Sequence, residues 1–226
     1  MCGRLSQYRG IHDFVDALSM PNALVNTVGD EPLNRYNLPP TSMAAVLRCE
    51  GVHLLAADVR WGWKPNWDKG TARRINARVE KVAHGPYFRQ IWPHRALAAI
   101  DGWFEWVADP DDPKHKQPYL IRLKNGEPIF CASIGQFSPP HAEPAADDGF
   151  VILTADAEGG MVDIHDRRPV VLAPDLAEEW LSHDTPKERA EEIALLQGCP
   201  VQCFEWFKVD KAVGNVRNGG PWRPLE

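Results

Sequence analysis

The sequence predicts an α+β protein: a single domain built on a curved, mixed, mostly antiparallel β-sheet, barrel-like in outline, with a few flanking helices. Three observations predict it. About nine short stretches alternate or run apolar as strands do, and only about four carry helical periodicity. These stretches do not follow βαβ order, which argues against a doubly wound parallel sheet. No internal repeat and no linker-like segment divides residues 1–226, so the whole chain is expected to be one domain.

From Ile11 to Met20 the pattern puts Ile11, Phe14, Val15 and Leu18 on one helical face, and Pro21 ends it. Asn34 to Thr41 reads as a polar loop outside regular structure, because Pro39 and Pro40 fix φ and remove donors. Ala44 to Cys49 and Val52 to Trp61 read as strands joined near Glu50-Gly51. Residues 63–74 are irregular. In Ile75 to Glu80, alternation places Asn76, Arg78 and Glu80 on one face. Ala96 to Ile100 is a buried apolar run leading into Asp101-Gly102-Trp103-Phe104-Glu105-Trp106.

Ala108 to Gln117 reads as a long polar hairpin loop. Tyr119 to Leu123 and Ile129 to Ile134 read as strands joined through Asn125-Gly126, and Pro139 to Asp148 as a mobile loop. Phe150 to Thr154 and Val170 to Leu172 are strands, and Pro174 to Leu181 is helical. Thr185-Pro186-Lys187-Glu188 opens a further helix with a capping box and proline at its first position, and Gly198 ends it. Cys203 to Val209 is the last strand. The polar loop from Ala212 to Asn218 is placed to return toward the other polar stretches.

Composition narrows the function classes. A hydrophobic content of 44% with 25% charged residues is that of a soluble globular protein. No apolar run approaches the roughly 18 residues that span a bilayer, and no basic-then-apolar leader opens the chain. A cytoplasmic monomer without a membrane partner is expected. The five cysteines, Cys2, Cys49, Cys131, Cys199 and Cys203, are odd in number and scattered, as reduced thiols are. Cys199 and Cys203 form a C-x3-C pair with no second ligand pair nearby, so neither a metal nor a cofactor is expected.

The net charge of −6 hides an asymmetry: Arg60 to Arg95 holds nine Lys/Arg against Asp68 and Glu80, a segment of +7 that leaves −13 elsewhere. Trp61, Trp63, Trp67 and Trp92 lie within it. Cations interleaved with indoles bind single-stranded nucleic acid by phosphate contact and base stacking. The same residues equally make a core beneath a solvated basic face.

Reactive chemistry concentrates at the start of the chain. Cys2 follows Met1 directly, and removal of Met1 would give one residue both a free α-amine and a thiol, with reference pKa values of about 7.7 and about 8.5. An amine condenses with an aldehyde to an imine, and a thiol two atoms away closes on the imine carbon as a thiazolidine. Proximity makes that second attack strongly favourable. Gly3 leaves room for a bulky electrophile, and Arg4 adds a fixed charge. Glu105 shares a strand face with Trp103, and a carboxyl among indoles is held partly protonated near neutrality, as a general acid must be. His165 stands between Ile164 and Asp166 ahead of two arginines, with Asp163 or Asp166 available to orient it. A cysteine peptidase using Cys2 and His165, or a non-covalent single-strand-binding module, are the competing classes. Neither accounts for a cysteine at position 2.

Taken together, Met1-Cys2-Gly3-Arg4, Arg35-Tyr36-Asn37 with Pro40, Trp61-Gly62, Ile75-Asn76-Ala77-Arg78 with Glu80, Asp101 to Trp106, Ile164 to Pro169 and Val213-Gly214-Asn215 resemble the SOS-response-associated peptidase family of abasic-site crosslinking proteins. The motifs keep the family's order over nearly the whole chain. The resemblance implies covalent shielding of abasic sites in single-stranded DNA, self-processing of Met1, and lyase activity as a side reaction. Residue by residue, it implies that Cys2 is the nucleophile, that Asn76 hydrogen-bonds the sugar, that Glu105 helps open the deoxyribose ring and that His165 assists imine formation. It implies DNA contacts at Arg4, Asn37, Pro40, Trp67 and Arg78, with the protein nucleoid-associated when bound. Two departures stand out: Asn66 occupies a place where some members carry a tryptophan beside Trp67, and the cation nearest Pro86 is Arg89.

Overall fold

The computed structural model describes residues 2–18, 20, 23–109, 112, 114–140 and 142–225. In chain order its elements are β1 Leu5–Gln7, α1 Ile11–Leu18, β2 Ala23–Asn26, β3 Arg35–Leu38, β4 Met43–Glu50, β5 His53–Arg60, β6 Asn76–Arg78, α2 Val79–Val82, β7 Arg95–Ile100 and β8 Gly102–Ala108. They continue as β9 Lys116–Leu123, β10 Ile129–Gln136, β11 Gly149–Asp156, β12 Arg167–Pro169, β13 Val171–Leu172, α3 Pro174–Leu181, α4 Lys187–Leu196 and β14 Phe204–Lys208. The architecture is α+β, with more and shorter strands than the sequence pattern resolves.

The strands form two facing sheets. The smaller is antiparallel, in the order β14-β9-β8-β1-β3. The larger runs β12-β11-β10-β7-β4-β5-β2, with β13 on β10 and β6 on β11. Two of its pairings, β2 with β5 and β6 with β11, are parallel. Neither path closes, so two open sheets stand where a barrel-like outline was expected. The seam shows why. The β4–β7 ladder stops at Val46↔Ala98. One residue further, the fully buried Gln7 of the small sheet inserts its amide, donating to the carbonyls of Ala45 and Ala99 (2.9 and 2.6 Å) and accepting from the Ala45 N–H (3.0 Å). A side chain of the small sheet thus locks it to the larger one where the β4–β7 ladder ends.

Three apolar layers follow. Ile11, Phe14 and Leu18 of α1, Trp180 of α3 and Ile193 of α4 pack on one face of the large sheet. Its other face meets the small sheet through Leu5, Trp103, Ile121 and Phe204 against Val46, Trp61, Ile100, Cys131 and Phe150. Phe104 and Leu120 pack outward on Val209 and Val213. Burying each such side chain contributes roughly 1.5–3 kcal/mol. The chain passes from one sheet to the other at Asp101, whose carboxylate accepts the Tyr8 N–H (2.6 Å) and the Arg9 Nε–H (2.6 Å). Gly102 follows because a Cβ there would stand 2.8 Å from the Ile121 carbonyl oxygen.

Several local expectations change. Arg35 to Leu38 is a strand paired with β1, since the prolines that end it come only afterwards. Glu80 leaves the Asn76 face: it enters α2 and pairs with Arg167 at 2.8 Å. Asn125-Gly126 joins two strands as expected, and these belong to different sheets. Residues 145–148 are tethered: Asp148 accepts the Ser138 and Ala145 N–H groups at 3.0 Å each, and Arg73 donates to the Ala146 carbonyl at 2.7 Å. Pro186, not Thr185, stands at the cap of α4, and the Thr185 hydroxyl donates to the Glu179 carbonyl (2.6 Å) instead of closing a capping box. Pro21 lies outside the described residues. Among the described residues no helix is long and apolar enough to cross a membrane.

Candidate active site around Cys2

The N-terminal segment reaches the interior because β1 is the fourth strand of the small sheet, and the ladder continues backward through the Phe104 N–H donating to the Arg4 carbonyl (3.0 Å). That places Cys2 in the apolar layer between the sheets, fully buried. Asn76 fixes it there, donating from Nδ2 to the Cys2 carbonyl at 2.7 Å. Asn76 is itself placed by parallel pairing with β11, in register with Ile152. Ala77 points into the helix-side core, which leaves Asn76 and the exposed Arg78 on the opposite side of the strand. Burial, with the charge of Glu105 adding to it, pushes the Cys2 thiol well above the usual thiol range. At neutral pH the thiol is therefore held protonated. The expected processing step falls on Met1, which lies outside the described residues.

Glu105 sits on β8, on the same side as Trp103, and is 5% exposed. Burial pushes its pKa up to about 7, and the neighbouring charge of Asp166 acts in the same direction. At neutral pH the carboxyl is close to half protonated, able to give or take a proton. His165 follows the 3-10 turn Gly159–Asp163 and is held by its N–H donating to the Met161 carbonyl (3.0 Å). Its Nδ1 accepts the Arg167 N–H at 3.0 Å and lies 2.6 Å from Asp166 Oδ1. Burial lowers the imidazole pKa, so the neutral ring is favoured. Of the two acids adjacent in sequence, Asp166 is the one on the ring.

The residues expected to meet DNA divide into two groups. Arg4 and Asn37 are buried against each other. Arg4 Nη1 donates to Asn37 Oδ1 (2.7 Å) and to the Val213 carbonyl (2.9 Å), with its guanidinium 5.3 Å above the Trp106 ring. Asn37 Nδ2 donates to the carbonyls of Val213, Asn215 and Asn218 at 3.1, 3.1 and 2.8 Å. Together they clamp the 212–218 loop, which does return to the N-terminal segment. Pro40 is half-buried beside Thr41, whose φ is +69°. Trp67 is 62% exposed, its ring edge-on to Tyr87 at 5.6 Å, and Tyr87 donates its hydroxyl to Asp68 Oδ2 (2.8 Å). The other three tryptophans of the basic segment, Trp61, Trp63 and Trp92, are buried.

Two participants went unnoticed in the sequence. Cys131 lies near enough to Cys2 to raise its pKa further, and the Val213 carbonyl is the acceptor shared by Arg4 and Asn37. Neither carries a local signal: one is an apolar-run cysteine, the other a backbone group. Among the described residues no group of three or more His, Cys, Asp or Glu is arranged to hold a metal.

A family described as SOS response associated peptidase (SRAP) matches residues 1–216. The chain is 41% identical to the abasic site processing protein YedK of Escherichia coli K12, over 97% of each chain. It is 28% identical to the abasic site processing protein YoqW of Bacillus subtilis, over 98% of this chain and 97% of that one. The crystal structure of a phage-related protein from Bordetella bronchiseptica superposes with a TM-score of 0.75 at 37% identity, covering 92% of this chain and 94% of that one. With its fold, its buried N-terminal cysteine and a match across residues 1–216, the chain belongs to the SOS response associated peptidase family.

Proposed function

We propose that this protein captures abasic sites in single-stranded DNA as a covalent thiazolidine on Cys2, acting as one cytoplasmic domain and as a monomer. The observation that carries the reading is the juxtaposition at Cys2: Asn76 holds its carbonyl at 2.7 Å, and the charge of Glu105, whose pKa is pushed up to about 7, acts on its thiol. Relatives named for abasic site processing support the substrate class.

An abasic deoxyribose exchanges between a closed hemiacetal and an open aldehyde. Protonated Glu105 gives a proton to the ring oxygen and opens it. Asn76 Oδ1, buried and without a hydrogen-bond partner, accepts from a sugar hydroxyl while Nδ2 keeps the Cys2 carbonyl. Once Met1 has been removed by self-processing, the Cys2 amine adds to the aldehyde carbon. Water leaves as the imine forms, with neutral His165 moving the proton. The thiol then adds across the imine, its proton passing to nitrogen. The net change is one water lost. Burial of the thiol suits this order, because a protonated thiol does not compete with the amine for the aldehyde. Ring closure removes the electron sink that an imine offers to β-elimination at the 3′ phosphate, so lyase cleavage occurs only where closure fails. Trp67 and Arg78 meet the DNA from the exposed side, and DNA-bound protein is nucleoid-associated.

Intact-protein mass before and after incubation with a single-stranded oligonucleotide bearing one abasic site tests this. A chain lacking Met1 that gains the oligonucleotide less one water, without added reductant, is the expected result, with Cys2→Ala reduced to background. A processed chain that gains nothing, or a Cys2→Ala chain that gains as much, refutes it.

A further inference from the structure

The cysteines away from the N-terminal site are not equivalent. Cys199 and Cys203 bracket the turn that contains the 3-10 segment Val201–Cys203, and both line one cavity of about 510 Å³ walled by Leu123, Pro128, Phe130 and Leu172. Cys203 is exposed and Cys199 half-buried. The Cys203 N–H donates to the Pro200 carbonyl (3.0 Å) and folds the turn back, while the Cys199 N–H donates to the Val171 carbonyl (2.7 Å) and pins its base to β13.

Arg168 is the second observation. It is 7% exposed, donates from Nη1 to the Cys199 carbonyl (2.7 Å), and its Nε has no hydrogen-bond partner. Burial lowers its pKa, opposed by Glu158 and then by the two thiols. A buried guanidinium with an unused donor favours an anion beside it, and a thiolate at this turn supplies one. Burial pushes the Cys199 thiol up, the nearby Cys203 adds to this, and Arg168 pulls it back.

We propose that Cys199 and Cys203 form a redox-active dithiol, closed to an intramolecular disulfide by a hydroperoxide. The Cys203 thiolate attacks the terminal peroxide oxygen. The O–O bond breaks and leaves as water or alcohol once protonated, and Cys203 becomes a sulfenic acid. Cys199 then attacks that sulfur, the S–O bond breaks, and a second water leaves as the S–S bond forms. One peroxide is reduced and two thiols are oxidised. Transient disulfides of this kind occur in reducing compartments as sensors. The turn is also placed to report its state. Val201 packs against Gly159, where a Cβ would stand 3.2 Å from Val201 Cγ1, and Trp206 stands 3.3 Å from the same position on Gly160. These glycines open the segment that carries His165. Formation of this disulfide does not depend on the DNA chemistry proposed above.

The test is folded, full-length protein treated with hydrogen peroxide, alkylated, and mapped by mass spectrometry. The expected result is a peptide pair missing two hydrogens at Cys199 and Cys203, restored by dithiothreitol, with the buried Cys131 unlabelled throughout. Cys199→Ser stops at a Cys203 sulfenic acid trapped by dimedone, and Arg168→Gln slows Cys203 oxidation several-fold. Full alkylation of both thiols after peroxide, or a disulfide found only between two copies of the chain, overturns the proposal.

Discussion

Two regions look equally chemical in the sequence and part company in the fold. The N-terminal segment and Glu105 carry polar groups into a buried layer beside the half-buried Asn76 and His165, and burial shifts the thiol and the carboxyl up and the imidazole down. The basic, tryptophan-rich segment from Arg60 to Arg95 does the reverse, sending most of its distinctive residues into structural work. Trp61 Nε1 donates to the Ile75 carbonyl (3.0 Å), Trp63 is fully buried, and Arg95 donates to the carbonyls of Trp180 and Ser182 at 2.7 Å each. The difference teaches that a carboxyl or thiol taken out of water is altered chemically, whereas an indole taken out of water simply stabilises. Burial creates function in the first region and removes it from view in the second.

The sharpest way to break this comparison is Glu105→Gln. If the buried carboxyl is the proton donor, capture falls by about 10²–10⁴-fold, the range general acid–base catalysis supplies. Single-turnover crosslinking against pH checks it, with the native rate changing around pH 7 and the variant flat there. Stability gives a second reading. The folded pKa is raised from 4.5 to about 7, so the fold favours the neutral carboxyl. That preference is intact below about pH 4.5 and is lost as pH rises through 7, a fall on the order of 3 kcal/mol. Urea denaturation shows this slope in the native protein and not in Glu105→Gln, which is the more stable of the two at pH 8. An unchanged slope would mean that Glu105 ionises normally.

Within the basic segment, two tryptophans separate structure from binding. Trp63→Ala removes a fully buried indole and costs about 3–5 kcal/mol of stability, read from the denaturant midpoint. Trp67→Ala, at a 62% exposed site, leaves stability within about 0.5 kcal/mol and weakens single-stranded DNA binding by roughly 1–3 kcal/mol, the worth of one stacked base. If both variants lost the same stability, Trp67 would belong to the core.

Much of the site was legible because its chemistry needs rare residue types at fixed places. A cysteine at position 2, a glutamate among indoles and a histidine next to an acid are recognisable without coordinates. The fold was legible where periodicity is long, as in α1 and α3, and illegible where a short polar strand is finished by proline, as in β3. Arg4 shows a different limit. Its type and position suggested a phosphate contact, but nothing local says that Asn37 and the Val213 carbonyl, 33 and 209 residues away, bind the same guanidinium nitrogen. Long-range hydrogen bonds to backbone groups have no sequence signature. The Gln7 seam between the sheets was invisible for the same reason.

Arg78 gives the smallest effect and the finest discrimination. It is exposed, and strand alternation puts it on the same side as Asn76, while Arg4 is buried with Nη1 committed to Asn37 and the Val213 carbonyl. If Arg78 neutralises one phosphate, Arg78→Gln weakens binding uniformly across DNA sequences and lowers the slope of log K against log salt by about 0.7. Protein stability should not move, because an exposed surface cation contributes little. Arg4→Gln should do the opposite, lowering stability through the lost clamp with a small change in salt slope. Fluorescence anisotropy across a salt series separates the two. Should Arg4 carry the larger slope, the N-terminal clamp must open when DNA binds, and the division between a buried reactive region and an exposed binding region would hold only for the free protein.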